Sequence, residues 1–138
     1  MRKFLSALMI LCAFSSCSYA ATTANPDIDF TKFSSVMLYS GVFNILANPS
    51  AYLGKTIKIR GQFDWARDEN TGKTFFGVIV SDASACCSTG FDFVLKDSYS
   101  FPRDYPKRGN TITVLGKLER YKEGEDTYFH LVDADLVK

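Results

Sequence analysis

The chain has 138 residues, enough for one domain, and its 16 Lys and Arg against 15 Asp and Glu give a formal net charge of +1. Such a balance argues against nucleic acid as a partner, because phosphate binding needs a basic footprint and the largest basic group here is Arg103, Lys107 and Arg108. A domain of this size buries a sufficient core without a disulfide framework, so its cysteines are not read as ordinary staples.

Residues 1–20 have the pattern of a signal peptide. Arg2 and Lys3 form a positive start, residues 4–14 form an apolar run too short to span a membrane, and Ser18-Tyr19-Ala20 supplies a cleavage motif of small residues. The expectation is an exported protein, periplasmic or secreted. A second processing route competes with it. Ala13-Phe14-Ser15-Ser16-Cys17 loosely resembles a lipobox, in which Cys17 would be lipidated and would anchor the chain to a membrane. Cys12 lies in the apolar run and Cys17 is either removed or lipidated. Cys86 and Cys87 are therefore left together in an oxidising compartment with no third cysteine to pair with.

Residues 21–33, with Asn25-Pro26, read as a flexible lead-in to a domain over residues 34–138. Val36, Met37, Tyr39, Val42, Phe43 and Leu46 recur at helical spacing after Ser34-Ser35, which predicts a helix over roughly 35–47 with serine as its cap. Gly41 weakens that helix and Asn48-Pro49 ends it, with one further turn before Gly54. Alternation then sets in. Ile57, Ile59, Phe63 and Trp65 share one face of a strand, a turn follows at residues 68–72, and residues 73–80 form the next strand. Phe91, Phe93 and Leu95 alternate in a third. A connection over residues 99–109 holds Pro102 and Pro106, and strands over 111–121 and 127–137 flank a charged turn.

Thr56-Ile57-Lys58-Ile59-Arg60-Gly61-Gln62-Phe63 is echoed by Thr111-Ile112-Thr113-Val114-Leu115-Gly116-Lys117-Leu118. Glycine in mid-strand allows a sharp bend, so Gly61 and Gly116 suit barrel corners. Two such strand pairs and the strand between them predict a mainly β fold, a five-stranded OB-like barrel with one N-terminal helix. Ile57, Ile59, Phe63, Phe93, Ile112, Val114 and Leu118 are the expected barrel-facing residues. The proline-bearing connection replaces the usual helix between the third and fourth strands.

Asn48-Pro49, Tyr52-Leu53-Gly54-Lys55-Thr56, Asp82-Ala83-Ser84-Ala85-Cys86-Cys87, Phe93-Val94-Leu95, Asp104-Tyr105-Pro106 and Gly109 together resemble a group of small exported bacterial OB-fold-like proteins of unassigned function. The Cys-Cys segment is also similar to one in the exported domain of a permease-subunit family associated with zinc limitation. The first resemblance runs from about Ser35 to the C-terminus, the second is short, and neither implies a known reaction.

Cys86 and Cys87 admit four readings: two small buried hydrophobes, a strained vicinal disulfide that switches with redox state, two ligands of a soft or borderline metal, or a link to another chain. Neighbours in a regular strand point to opposite faces, so joint ligation needs a turn, which Ser88-Thr89-Gly90 makes credible. His130 is the sole histidine. In an OB barrel the third strand lies beside the fifth, which holds His130, and this predicts a zinc or copper site of Cys86, Cys87 and His130, with Asp82 or Asp92 as further ligands. No phosphate loop or nucleophile elbow is present, so an enzyme is not the favoured reading. The sequence points instead to a binding module of the cell envelope whose partner is a metal ion or an envelope protein. A redox-responsive disulfide protein and an interaction barrel without a small-molecule site are its rivals.

Overall fold

β-Branched and aromatic residues alternating with polar ones produce five long strands, and glycines within them let the sheet turn corners. The computed structural model describes residues 25–138. The expected leader, Cys12 and the lipidation site Cys17 lie outside these residues. The elements in chain order are β1 (Ile28–Asp29), a 3-10 turn (Phe30–Lys32), α1 (Ser35–Ala47), a second 3-10 turn (Pro49–Ala51), β2 (Thr56–Arg67), β3 (Thr74–Ser81), β4 (Ser88–Leu95), β5 (Thr111–Glu123) and β6 (Asp126–Leu136).

Pairing runs from β2 through β3, β4, β6 and β5 and returns from β5 to β2, a barrel-like ring. All of these pairs are antiparallel except β4 with β6, which is parallel. The fold is thus mainly β and OB-like, with one helix before the long strands, as the alternation predicts. Ile57, Ile59, Phe63, Phe93, Ile112, Val114 and Leu118 are all buried in one core with Val78, Val80, Phe91, Leu95 and Leu131. Between β4 and β5 there is no helix among the described residues. Phe101 and Tyr105 of that connection instead lay their rings on Phe76, at centroid distances of 5.1 and 4.3 Å.

Gly61 occupies the corner. β2 pairs with β5 over Thr56–Gln62 and with β3 from Gln62 onward, so the strand changes partners beside this residue. A Cβ there would lie 2.5 Å from the Ile79 carbonyl oxygen, which only a shift of backbone could relieve. Gly116 sits in the irregularity where the β5–β6 register shifts.

The lead-in is built into the domain at its end: Ile28 and Asp29 pair in parallel with Ile57 and Lys58, and the Asp27 carboxylate accepts bonds of 2.7 Å from both the amide and the hydroxyl of Thr56. Phe30 is buried against α1, where a Cβ on Gly41 would lie 2.5 Å from its ring. That contact explains a glycine in mid-helix. The helix itself spans the predicted residues and is capped by Ser34, whose hydroxyl accepts from the Met37 amide at 3.4 Å. Its buried face is Val42 and Ile45, whereas Val36, Met37 and Phe43 are 56%, 56% and 57% exposed.

Gly61→Ala should lower the unfolding free energy by about 1–3 kcal/mol, the cost of forcing a side chain into packed surroundings. Urea denaturation would measure it, and an unchanged midpoint would mean that β2 does not turn its corner there.

Candidate metal centre

Ser81 ends β3 and Ser88 opens β4; they face each other across the last rung, with their hydroxyl oxygens 3.1 Å apart. The intervening loop, Asp82–Cys87, closes on its own backbone. The Asp82 amide donates to the Cys87 carbonyl at 2.9 Å, and the Ala85 amide donates to the Asp82 carbonyl at 3.1 Å. Ala85 adopts the left-handed region at φ 56°, a conformation costing an L-residue roughly 1 kcal/mol. The turn brings the next two amides back over the Asp82 side chain, whose Oδ1 accepts from Cys86 N at 3.1 Å and from Cys87 N at 3.4 Å.

Two adjacent cysteines consequently lie on one side of the chain. Their sulfurs are 3.7 Å apart, and Cys86 Sγ is 3.5 Å from Asp82 Oδ2. One donor atom from each of Asp82, Cys86 and Cys87 lies within 4.8 Å of the other two. Both thiols are free and exposed, which overturns the reading of the pair as buried hydrophobes. Ser84 supports the cluster from the side. Its hydroxyl lies 2.9 Å from Asp82 Oδ2 and 3.0 Å from Cys86 Sγ, and has one proton to donate between them.

The spacings can be compared with a filled site. Two sulfurs bound at about 2.3 Å to a tetrahedral zinc are about 3.8 Å apart, and a bound sulfur and carboxylate oxygen are about 3.5 Å apart. Both figures match the loop as it stands. The Ser84 hydroxyl and the loop amides hold the Asp82 carboxyl below the usual carboxylate range, so it is charged at neutral pH. Contact with the Cys86 thiol, and then the Asp82 charge, push the Cys87 thiol up, so it is protonated at neutral pH.

His130 is not part of this cluster, which corrects the predicted ligand set. The third strand does lie beside the fifth, but the parallel register sets His130 opposite Asp92, well inside β4, whereas the cysteines precede its first residue. The strand from Cys87 to Asp92 covers about 16 Å at 3.3 Å per residue, beyond the reach of a shared ion. Asp92 follows His130 and not the sulfurs. Both point outward, since Phe91, Phe93 and Leu131 on either side of them are the buried residues. Of the predicted ligands, the structure therefore assembles Asp82, Cys86 and Cys87 in one place and Asp92 with His130 in another.

The second place is a cleft of about 360 Å³ whose lining includes Lys73, Phe75, Asp92, Tyr121 and His130. The Tyr121 and His130 rings are 4.3 Å apart. Burial pushes the Asp92 carboxyl up against the opposing pull of Lys73, and burial likewise pushes the His130 imidazole down. Lys73 and Tyr121 were not legible as site residues, because the first reads as the opening residue of a strand and the second as a strand aromatic. Their convergence depends on how the β5–β6 hairpin lies against the start of β3. A search of protein-family models finds no match to this chain, and no curated protein matches it significantly.

A carboxyl raised by burial is held charged at neutral pH at a cost to folding. Asp92→Asn should therefore keep or raise the melting temperature at pH 7. The sign follows from the two states: the folded carboxyl protonates at a higher pH than the unfolded one, near 3.9, so the cost appears as pH rises through that window and is absent below it. Thermal melts at pH 3.5 and pH 7 would show the difference between variant and parent only at the higher value. A variant that melts lower at pH 7 would mean that Asp92 has a stabilising partner.

Proposed function

We propose that this chain is an exported cell-envelope binding module that takes up a borderline metal ion, zinc foremost, through Asp82, Cys86 and Cys87, and that it is not an enzyme. The observation that carries the proposal is the agreement of the sulfur–sulfur and sulfur–oxygen spacings, 3.7 and 3.5 Å, with those of a tetrahedral ion. Two thiolates and one carboxylate make a mixed soft and hard donor set, which suits zinc better than Cu(I), the ion a pure thiolate pair would prefer. Three protein ligands leave one tetrahedral position for water or for a ligand from another molecule. Placed on an exposed hairpin loop, that open position allows an ion to be passed on. Export rests on the leader pattern of residues 1–20.

The vicinal cysteines also support a redox-responsive reading. Joining them would require the sulfurs to close from 3.7 Å to about 2.05 Å, with two electrons and two protons passing to an external oxidant. Such a step would remove both sulfur ligands, so metal uptake belongs to the reduced protein.

Zinc titrated into the reduced protein should bind one to one and release about two protons per ion. Cys86→Ser and Cys87→Ser should each weaken binding by about 100-fold or more and Asp82→Asn by about 10- to 100-fold. His130→Ala should change nothing. Affinity should fall by about tenfold per pH unit for each thiol proton displaced, with no further loss from Asp82 until far lower pH. Binding that survives loss of either cysteine, or that requires His130, would refute this ligand set.

A further inference from the structure

The cleft beneath the β5–β6 hairpin has its own chemistry, independent of the cysteine loop. Its walls are largely aromatic, with Phe75, Phe76, Tyr105 and Tyr121 around Asp92 and His130. A volume of about 360 Å³ has room for one ring and a short substituent.

Two observations define the charge of what would fit. The Asp92 carboxylate is half-buried yet accepts no hydrogen bond and forms no ion pair among the described residues, so both its oxygens are unspent at the cleft. The rings, meanwhile, already hold a cation. The Lys73 ammonium lies 4.5 Å from the Phe75 ring centre and 5.2 Å from that of Tyr121, with Glu123 Oε1 at 3.3 Å. Attraction of positive charge to aromatic faces is the interaction that binds ammonium ligands elsewhere. Glu119 stands opposite His130 across the hairpin but is paired with Lys117 at 2.6 Å, so the local balance is set by Asp92 and Glu123 against Lys73, an excess of one negative charge.

The geometry points to a binding site for a small organic cation, an amine carrying one aromatic or apolar group. Its nitrogen meets the Asp92 carboxylate and its apolar part lies against Phe75 and Tyr121. Lys73 acts as a built-in competitor: its ammonium neutralises part of the same field and covers the same ring faces. An arriving amine displaces that ammonium toward Glu123 and solvent. The site shares no residue with Asp82, Cys86 and Cys87, so success or failure of the metal proposal leaves it untouched.

The test is a ligand series with opposed variants. 2-Phenylethylamine, neutral 2-phenylethanol and anionic phenylacetate are titrated into the purified protein and followed by amide chemical shifts. The amine should saturate at a Kd of roughly 0.1–1 mM, moving the signals of Phe75, Asp92, Tyr121 and His130. The alcohol should bind about tenfold more weakly and the acid more weakly still. Asp92→Asn should bring the amine down to the level of the alcohol, and Lys73→Gln should tighten it severalfold. Cys86→Ser should leave it unchanged. No saturation by about 10 mM amine, equal affinity for the alcohol, or shifts confined to other surfaces would overturn the proposal. Should a variant fail to fold, the three ligands on the parent protein decide the matter alone.

Discussion

The parallel pairing of β4 with β6 is the constraint on which the rest of the structure depends. Every other long-strand contact is a local hairpin or the β2–β5 pairing, and this pair joins the two halves into a ring. It also sets the geometry of function. Parallel strands enter from the same end, so the loop that precedes β4 lies level with the beginning of β6 and not with its middle. The cysteines are thereby held at one end of the barrel, while Asp92 and His130 sit on its outer wall. Two groups of chemically capable residues that look like one on paper become two.

The separation clarifies what each group can do. The cysteine loop is self-sufficient: its donor atoms come from one short stretch, Asp82–Cys87, and the amides and the serine that orient Asp82 belong to the same turn. The cleft is the reverse, a product of distant segments in which Lys73, Asp92, Tyr121 and His130 meet only after the barrel has formed. A compact donor cluster suits a small, strongly held ion. An aromatic cleft with an unspent carboxylate suits an organic molecule held by several weaker contacts.

Most of the barrel was legible in the chain. Strict alternation fixes which side of a strand is buried, and Ile59 opposite Val114, both fully buried, shows that the repeat pairs as its symmetry implies. The helix was legible in extent but not in orientation. Its sequence from Ser35 to Ala47 holds no charged residue, so no polar face marks which side meets solvent, and periodicity alone favoured Val36, Met37 and Phe43 over Ile45. The site was half legible. Asp82, Cys86 and Cys87 are close in sequence, so a turn is enough to unite them. The place of His130 depended on a register between strands nearly forty residues apart, which no local pattern encodes. Phe30 escaped notice for a similar reason, since its partner is the absence of a side chain at Gly41.

The closed turn at the tip of β3 and β4 has a consequence for the order of events as the chain folds. Hairpins form on the order of microseconds, whereas barrels that depend on distant pairings close in milliseconds to seconds. The backbone bonds from Asp82 to Cys87 and from Ala85 to Asp82 lie wholly within the β3–β4 hairpin. Asp82, Cys86 and Cys87 can therefore reach their final arrangement while β6 is still unplaced. An ion captured at that stage would favour the correct β3–β4 pairing and narrow the search for the parallel partner that completes the ring.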